Sequence, residues 1–327
     1  MRKFISLFLI SFSANALDLT EPSVAGFISN RLQRIDSMIQ GCVNRQEVPG
    51  AVAILVKNGR IGYYKSFGLA DIDSQKPMGK EAMFRIASMS KLITTVAALQ
   101  LYEQGHYNME TLLGSILPEF DQPEVFVSWD EEKQTFNTEP ARTKIRMKHL
   151  FTHTSGIVYP IFTNKGRAGY MEAKITDAFP DGSIDLAENI RRLASVPLAH
   201  QPGEGYTYGM NMDVLGRVIE AIDGRPFARY MREEIFQPLG MADTGFSIPE
   251  EKQDRIVSAY TTQDGKMQPF DRDSWISHTQ QIAFGEISPF NETSITAERA
   301  RSPWGAVLFQ LPMTMLFFFK CWSTKDS

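Results

Sequence analysis

From Leu92 to Gln104 a helix would be apolar on nearly every side, with Val96, Ala97, Ala98, Leu99 and Leu101 leaving no polar face. Such a helix has to be wrapped by the rest of the chain, so it belongs at the centre of the molecule. Gly105 ends it. In front of it stands an extended segment, Met83-Phe84-Arg85-Ile86-Ala87, and the junction between the two is Ser88-Met89-Ser90-Lys91. With the helix starting at or just after Ser88, residues three apart share a face. The Lys91 amine then lies one turn above the Ser88 hydroxyl, within hydrogen-bonding reach.

That spacing suits nucleophilic chemistry. A serine hydroxyl attacks poorly until a neighbour takes its proton, and a lysine does so when desolvation or nearby cations disfavour its charged form. The flanks Ile86, Ala87, Met89, Leu92 and Ile93 are apolar. A helix N-terminus adds partial positive charge where a tetrahedral oxyanion would form. Alone, the tetrapeptide reads first as a Ser N-cap followed by an ordinary surface lysine. A second constellation bears on the choice: Pro202-Gly203-Glu204-Gly205-Tyr206-Thr207-Tyr208-Gly209-Met210-Asn211, a Gly-rich loop running into a helix at Met212-Asp213-Val214-Leu215-Gly216. Close to an ammonium a phenolate is favoured, so Tyr208 is a candidate base toward Ser88 and later an acid toward the leaving group. Otherwise it is a packed tyrosine with a satisfied hydroxyl.

Other chemistries are less well marked. His149 and His153 have the i, i+4 spacing that can chelate zinc, but no Glu follows the first and no third ligand is evident, so the pair reads as structural and no metal or organic cofactor is implied. A Gly-x-Ser-x-Gly elbow is absent, while five histidines leave a Ser-His-Asp arrangement open. Cys42 and Cys321 allow one bridge at most. A formal charge of −4 without a long basic run argues against nucleic acid as partner.

With 327 residues the chain can bury a large core, and two lobes are expected. Met1-Arg2-Lys3, the apolar run Phe4 to Phe12 and Ala14-Asn15-Ala16 have the parts of a secretory signal, 1–16, too short to span a bilayer. Export to the periplasm or medium is expected, with a mature chain starting near Leu17, which N-terminal sequencing tests. No later segment reads as a stable membrane span. Residues 24–46 predict an amphipathic helix; Ala51 to Val56, the turn Lys57-Asn58-Gly59-Arg60 and Ile61 to Tyr64 predict a β-hairpin. Leu112–Leu117 and Met147–Thr152 predict short helices around a polar insertion, Ser128–Lys144. Leu186–Ala194, Asp213–Ile222 and Phe227–Phe236 predict further helices. The chain thus divides into 17–84, the N-terminal part of an α/β lobe; 85–254, a mostly helical lobe carrying the active-site motifs; and 255–327, an incomplete or aberrant C-terminal part of the α/β lobe.

Four motifs in order, Phe84-Arg85-Ile86-Ala87-Ser88-Met89-Ser90-Lys91, Leu150-Phe151-Thr152-His153-Thr154-Ser155-Gly156, Pro202-Gly203 to Tyr208 with Asp213-Val214-Leu215-Gly216, and Pro238-Leu239-Gly240-Met241, resemble the serine β-lactamase-related family. That family comprises class C β-lactamases, related penicillin-binding proteins, D-aminopeptidases and family VIII carboxylesterases, and the resemblance runs from about Val48 to Pro249. It implies an α/β (α+β) fold of the β-lactamase/transpeptidase type: an antiparallel sheet with flanking helices beside an all-helical lobe. It further implies Ser88 as acylated nucleophile, Lys91 as its activator, Tyr208 as the tyrosine of a Tyr-x-Asn element, and the His-Thr-Ser-Gly segment as structural. The position after Tyr208 is Gly209 where Ser is usual; the Asn position holds Met210, with Asn211 one place later, and these two are the candidate substrate-binding residues. An apolar residue there favours the esterase branch, acting on a small-molecule ester, over amide or β-lactam hydrolysis.

The family's C-terminal strands flank the nucleophile, and one of their backbone N–H groups completes the oxyanion hole. Trp304 to Asp326 resembles none of them. Codons compatible with that stretch, read two bases on, can spell a Gly-rich strand followed by Ser-Thr-Ala-x-Asp-Tyr. The expectation is therefore an out-of-frame C-terminal part, beginning between Ser274 and Trp304, with those strands missing and the hairpin left with an open edge. The nucleotide sequence tests this. A catalytically dead, penicillin-recognising remnant is the corresponding non-enzymatic reading.

Overall fold

The computed structural model describes residues 17–160, 163, 167–176, 184–263, 266–270 and 309–310. The expected signal, Cys321 and all of the proposed shifted stretch except residues 309 and 310 lie outside the described residues. Helix α1, Ser29–Asn44, is shorter at both ends than its periodicity predicts, because Ile28 is extended and Arg45 closes the last turn on Gly41 and Val43. Its Asp36 accepts hydrogen bonds from Tyr63 Oη and Lys65 Nζ, each at 2.7 Å, which fixes the helix on the sheet.

Strands β1, Gly50–Lys57, and β2, Arg60–Asp71, form the predicted hairpin, with Lys57 opposite Arg60. Asn58 and Gly59 both have positive φ, 52° and 67°, the backbone of a type I′ turn that matches the twist of the flanking strands. β3, Lys76–Pro77, adds to the far edge of β2, so the sheet order is β1-β2-β3. Pairing of the hairpin with C-terminal strands is not found among the described residues.

Strand β4, Phe84–Arg85, leads through a 3-10 turn, Ala87–Met89, into α2, Ser90–Glu103. Ile93, Ala97, Ala98 and Leu101 of α2 are buried at the heart of the helical lobe, while Leu92 and Tyr102 stay exposed, so the helix is buried on one face rather than all round. The polar insertion is not a loop. It is a two-stranded ribbon, β5, Glu124–Asp130, and β6, Thr135–Pro140, in which Trp129 faces Phe136 across the strands. A ribbon with one face in solvent can carry many polar residues and still pair, which hid it from a hydrophobic-period reading. Phe136 packs edge-on against Tyr170, and Phe126 N–H reaches Leu198 O, tying the ribbon to the lobe.

The remaining elements are α3, Met147–Phe151; α4, Arg167–Glu172; α5, Leu186–Ala194; α6, Asn211–Asp223; and α7, Phe227–Tyr230, continued as a π-helical turn to Phe236. Asp185 caps α5 through Glu188 N–H, and Gly224 ends α6 in the left-handed conformation. Val214, Leu215, Val218 and Ile219 of α6 join the α2 face in one core. β7, Tyr260–Gln263, and β8, Lys266–Pro269, form a late hairpin. β9, Phe309–Gln310, pairs antiparallel with β4, Phe84 opposite Gln310. The expectation that no C-terminal strand flanks the nucleophile segment is corrected to that extent: a two-residue strand lies there. Among the described residues no helix is long and apolar enough to cross a membrane.

Candidate active site

The nucleophile candidate sits on a tight elbow. Ala87, just ahead of it, has φ 42°, a left-handed backbone that a side chain disfavours. Ser88 is therefore in a 3-10 turn and exposed, while α2 proper begins at Ser90, two residues later than the earliest predicted start. The i, i+3 relation survives: Lys91 Nζ donates to Ser88 Oγ at 3.3 Å.

Tyr208 is brought to the same point from 120 residues away. Its Oη and Ser88 Oγ share a hydrogen bond of 2.8 Å. The Lys91 ammonium lies over two rings, 5.0 Å from the Tyr208 centroid and 5.6 Å from that of Tyr159. Burial pushes the Tyr208 phenol up, but hydrogen bonds to Lys91 and Ser88, with the Lys91 charge, outweigh it and hold the group below the ordinary tyrosine value; Asp213 opposes them. The arrangement favours a phenolate beside a hydroxyl that can give up its proton.

What carries Tyr208 there is a zipper between two motif segments. Thr207 N–H bonds His153 O, Gly203 N–H bonds Thr154 O, and Met210 N–H bonds Val158 O. The segments run so close that a Cβ on Gly209 would lie 2.0 Å from Ile157 O, a backbone atom that cannot swing away. This explains glycine where the resembling sequences have serine. Gly209→Ala is expected to displace the Tyr208 loop and lower kcat about a hundredfold. Steady-state kinetics on the folded variant, with a thermal melt as control, checks this; turnover within threefold of the parent would contradict it.

Met210 and Asn211 are not where substrate binding needs them. Met210 is 1% exposed and belongs to the core, and Asn211 is fully buried. Ser155 Oγ donates to Asn211 Oδ1 at 2.5 Å, and the Asn211 amide NH2 meets His153 Nδ1 at 3.0 Å. The expected substrate-binding role for both is corrected: the first turn of α6 aims them inward, and their polar and apolar atoms are satisfied within the protein.

The two histidines are engaged separately. His149 Nδ1 accepts Arg146 N–H at 3.2 Å, and His153 Nδ1 receives Gly209 N–H at 3.4 Å as well as the Asn211 amide. Among the described residues no cluster of three or more His, Cys, Asp or Glu is placed to hold a metal. Sequence reasoning missed Tyr159, buried beside both the Lys91 charge and the Tyr208 ring, whose centroid is 5.6 Å away. The one available signal was an aromatic residue shortly after His-Thr-Ser-Gly. Beside Lys91 opens a cleft of about 450 Å³, counting the space open to solvent, lined by Ala87, Tyr159, Met212, Asp213 and Phe246 among others.

A family model described as Beta-lactamase matches residues 35–290. Esterase EstB of Burkholderia gladioli is 35% identical over 236 residues, 72% of this chain and 56% of that protein. Lovastatin esterase of Penicillium rubens is 32% identical, over 65% of this chain and 52% of its own. The chain thus spans about half the length of the curated relatives it matches. Among solved structures, EstCE1, described as a hydrolase with promiscuous acyltransferase activity, superposes with a TM-score of 0.71 at 25% identity, covering 88% of this chain and 71% of that one.

Proposed function

The chain belongs to the Beta-lactamase family, and from that premise we propose that it is a serine hydrolase that works through an acyl-enzyme, of the carboxylesterase type. The observation that carries this reading is the 2.8 Å contact of Ser88 Oγ with Tyr208 Oη, with Lys91 Nζ donating to the same Ser88 oxygen. In the proposed reaction the Tyr208 phenolate takes the Ser88 hydroxyl proton as Oγ bonds to the ester carbonyl carbon. The Lys91 ammonium holds the phenolate and orients the serine. The Ser88 backbone N–H, at the start of the helical turn, supports the developing oxyanion. Collapse of the tetrahedral adduct breaks the bond to the alcohol, which leaves with the proton returned by Tyr208. Water, deprotonated by Tyr208, then releases the acid by the reverse geometry.

Ester cleavage is favoured over β-lactam or D-amino-acid peptide cleavage by the fate of Met210 and Asn211. In the β-lactamases that the chain resembles, a side-chain amide contacts the substrate amide, and here Asn211 is buried with both ends of its amide engaged by Ser155 and His153. The relatives named as esterases support the same choice. The predicted outcome is p-nitrophenyl ester turnover with a kcat/KM at least a hundredfold above that for a chromogenic cephalosporin, read under identical conditions. A cephalosporin preference would overturn the ester reading and leave β-lactam hydrolysis at the same serine. Binding of a fluorescent penicillin without turnover of either would point to the remnant. From the basic, apolar and small-residue composition of Met1 to Ala16 we place the reaction outside the cytoplasm.

A further inference from the structure

The His-Thr-Ser-Gly segment is wired into the site in a way that depends on protonation. A backbone N–H can only donate, so the approach of Gly209 N–H to His153 Nδ1 makes that nitrogen an acceptor. The Asn211 amide must then present its NH2 to the same nitrogen, and its oxygen is left for the Ser155 hydroxyl, as found. Ile157 N–H closes the set on Ser155 Oγ at 3.1 Å. Both Asn211 and Ser155 are fully buried, so the only arrangement that satisfies every atom has a neutral His153 with its proton on Nε2.

A face of the same imidazole, at right angles to these edge contacts, is stacked on Tyr208, with centroids 5.1 Å apart and ring planes 30° from parallel. Gly209, which His153 Nδ1 holds, is the next residue along. The backbone of His153 is itself in the left-handed region, φ 54°. One side chain therefore clamps the phenol ring, the peptide after it and the first residue of α6. Resting on the acyl-enzyme reading above, we propose that His153 is a positioning residue whose neutral imidazole holds Tyr208 against Ser88, so that protonating His153 disables the site. A proton on Nδ1 would turn two accepted hydrogen bonds into two donor–donor contacts and set a second cation beside Lys91.

The groups around the ring are consistent with that. Lys91 faces it from α2, Tyr208 and the exposed Tyr206 from the loop before α6, Tyr159 stands beyond Tyr208, and His149 lies one turn back on α3. Asp213, the acidic residue in the first turn of α6, acts on Tyr208. Burial first, and then the Lys91 charge, hold His153 below the ordinary histidine value.

The test uses two substitutions in the full chain. His153→Asn places an amide oxygen where Nδ1 stands, does not titrate, and suits a left-handed backbone. His153→Ala supplies no acceptor. In the parent, the rate of Ser88 labelling by a p-nitrophenyl phosphonate should lose two protons' worth of slope on the acid side, one from Tyr208 and one from His153. His153→Asn should lose one of those slopes and, having the acceptor but not the stacked ring, keep a plateau at least about threefold above that of His153→Ala, which should drop ten- to a hundredfold. In ¹⁵N-histidine spectra the resonance missing from both variants should show the Nε2–H tautomer and titrate below the ordinary histidine range. An Nδ1–H tautomer, or an acid limb in His153→Asn identical to the parent's, would overturn the proposal. A parent chain that is not labelled at all would sink the acyl-enzyme reading itself, a result distinguishable from either.

Discussion

Ser88→Ala is expected to abolish covalent labelling by a p-nitrophenyl phosphonate and to lower p-nitrophenyl ester hydrolysis by at least about a thousandfold. The size follows from how the site is concentrated on one atom. Lys91 Nζ and Tyr208 Oη both converge on Ser88 Oγ, at 3.3 and 2.8 Å, and without that oxygen neither has a reacting partner. The neighbouring hydroxyl cannot substitute, because Ser90 is buried at 7% exposure on the first turn of α2. The lost oxygen belongs to an exposed side chain, so the variant should melt with the parent. Intact-mass measurement reads the labelling directly: one phosphonyl group on the parent and none on the variant. A variant that still takes up the label at a comparable rate would show that another residue is the nucleophile, and the five-histidine alternative of a Ser-His-Asp triad would return.

Much of this arrangement was legible in the sequence because it is local. The Ser-x-x-Lys spacing needs only a helical turn, and it persists although the turn is 3-10 at Ser88 and α-helical from Ser90. The Asn58-Gly59 turn follows from two residues that tolerate positive φ. The apolar stretch after Ser88 forms a helix whose Ile93, Ala97, Ala98 and Leu101 face lies in the core, although Leu92 and Tyr102 stay exposed, so it is not wrapped on every side. What failed was non-local. Nothing in Tyr208-Gly209-Met210-Asn211 shows which side chains turn into the core, since that is decided by the entry angle of α6 and by Ser155 and His153, more than fifty residues earlier. Tyr159 was missed for the same reason, its position being set by Lys91 and Tyr208 rather than by any pattern around it. The ribbon at 124–140 escaped because what anchors it is distant in sequence: Val125 enters the core of the helical lobe beside Leu198, and Phe136 packs on Tyr170.

Lys91→Met and Tyr208→Phe should divide the proton handling between the two groups. Tyr208→Phe keeps the ring against His153 and Tyr159 and removes only the oxygen, so kcat is expected to fall by about a hundred- to ten-thousandfold at every pH, with little change in melting. Lys91→Met acts through charge. Burial and Asp213 both raise the Tyr208 phenol, while Lys91, with Ser88, is what brings it down. Removing the cation leaves the raising effects in place, so the phenolate forms only at higher pH. Activity depends on that basic form and therefore rises with pH; its half-maximal point should move to the alkaline side in Lys91→Met. The rate at neutral pH should be down by about a hundredfold or more and recover partly as the pH is raised. The double variant should show no recovery, because no phenol is left to ionise. The pattern opposite to this, a Tyr208→Phe enzyme within tenfold of the parent and a Lys91→Met enzyme that stays silent in alkali, would assign the base to the lysine amine. The 2.8 Å contact between Tyr208 and Ser88 would then be reassigned to protonating the leaving alcohol.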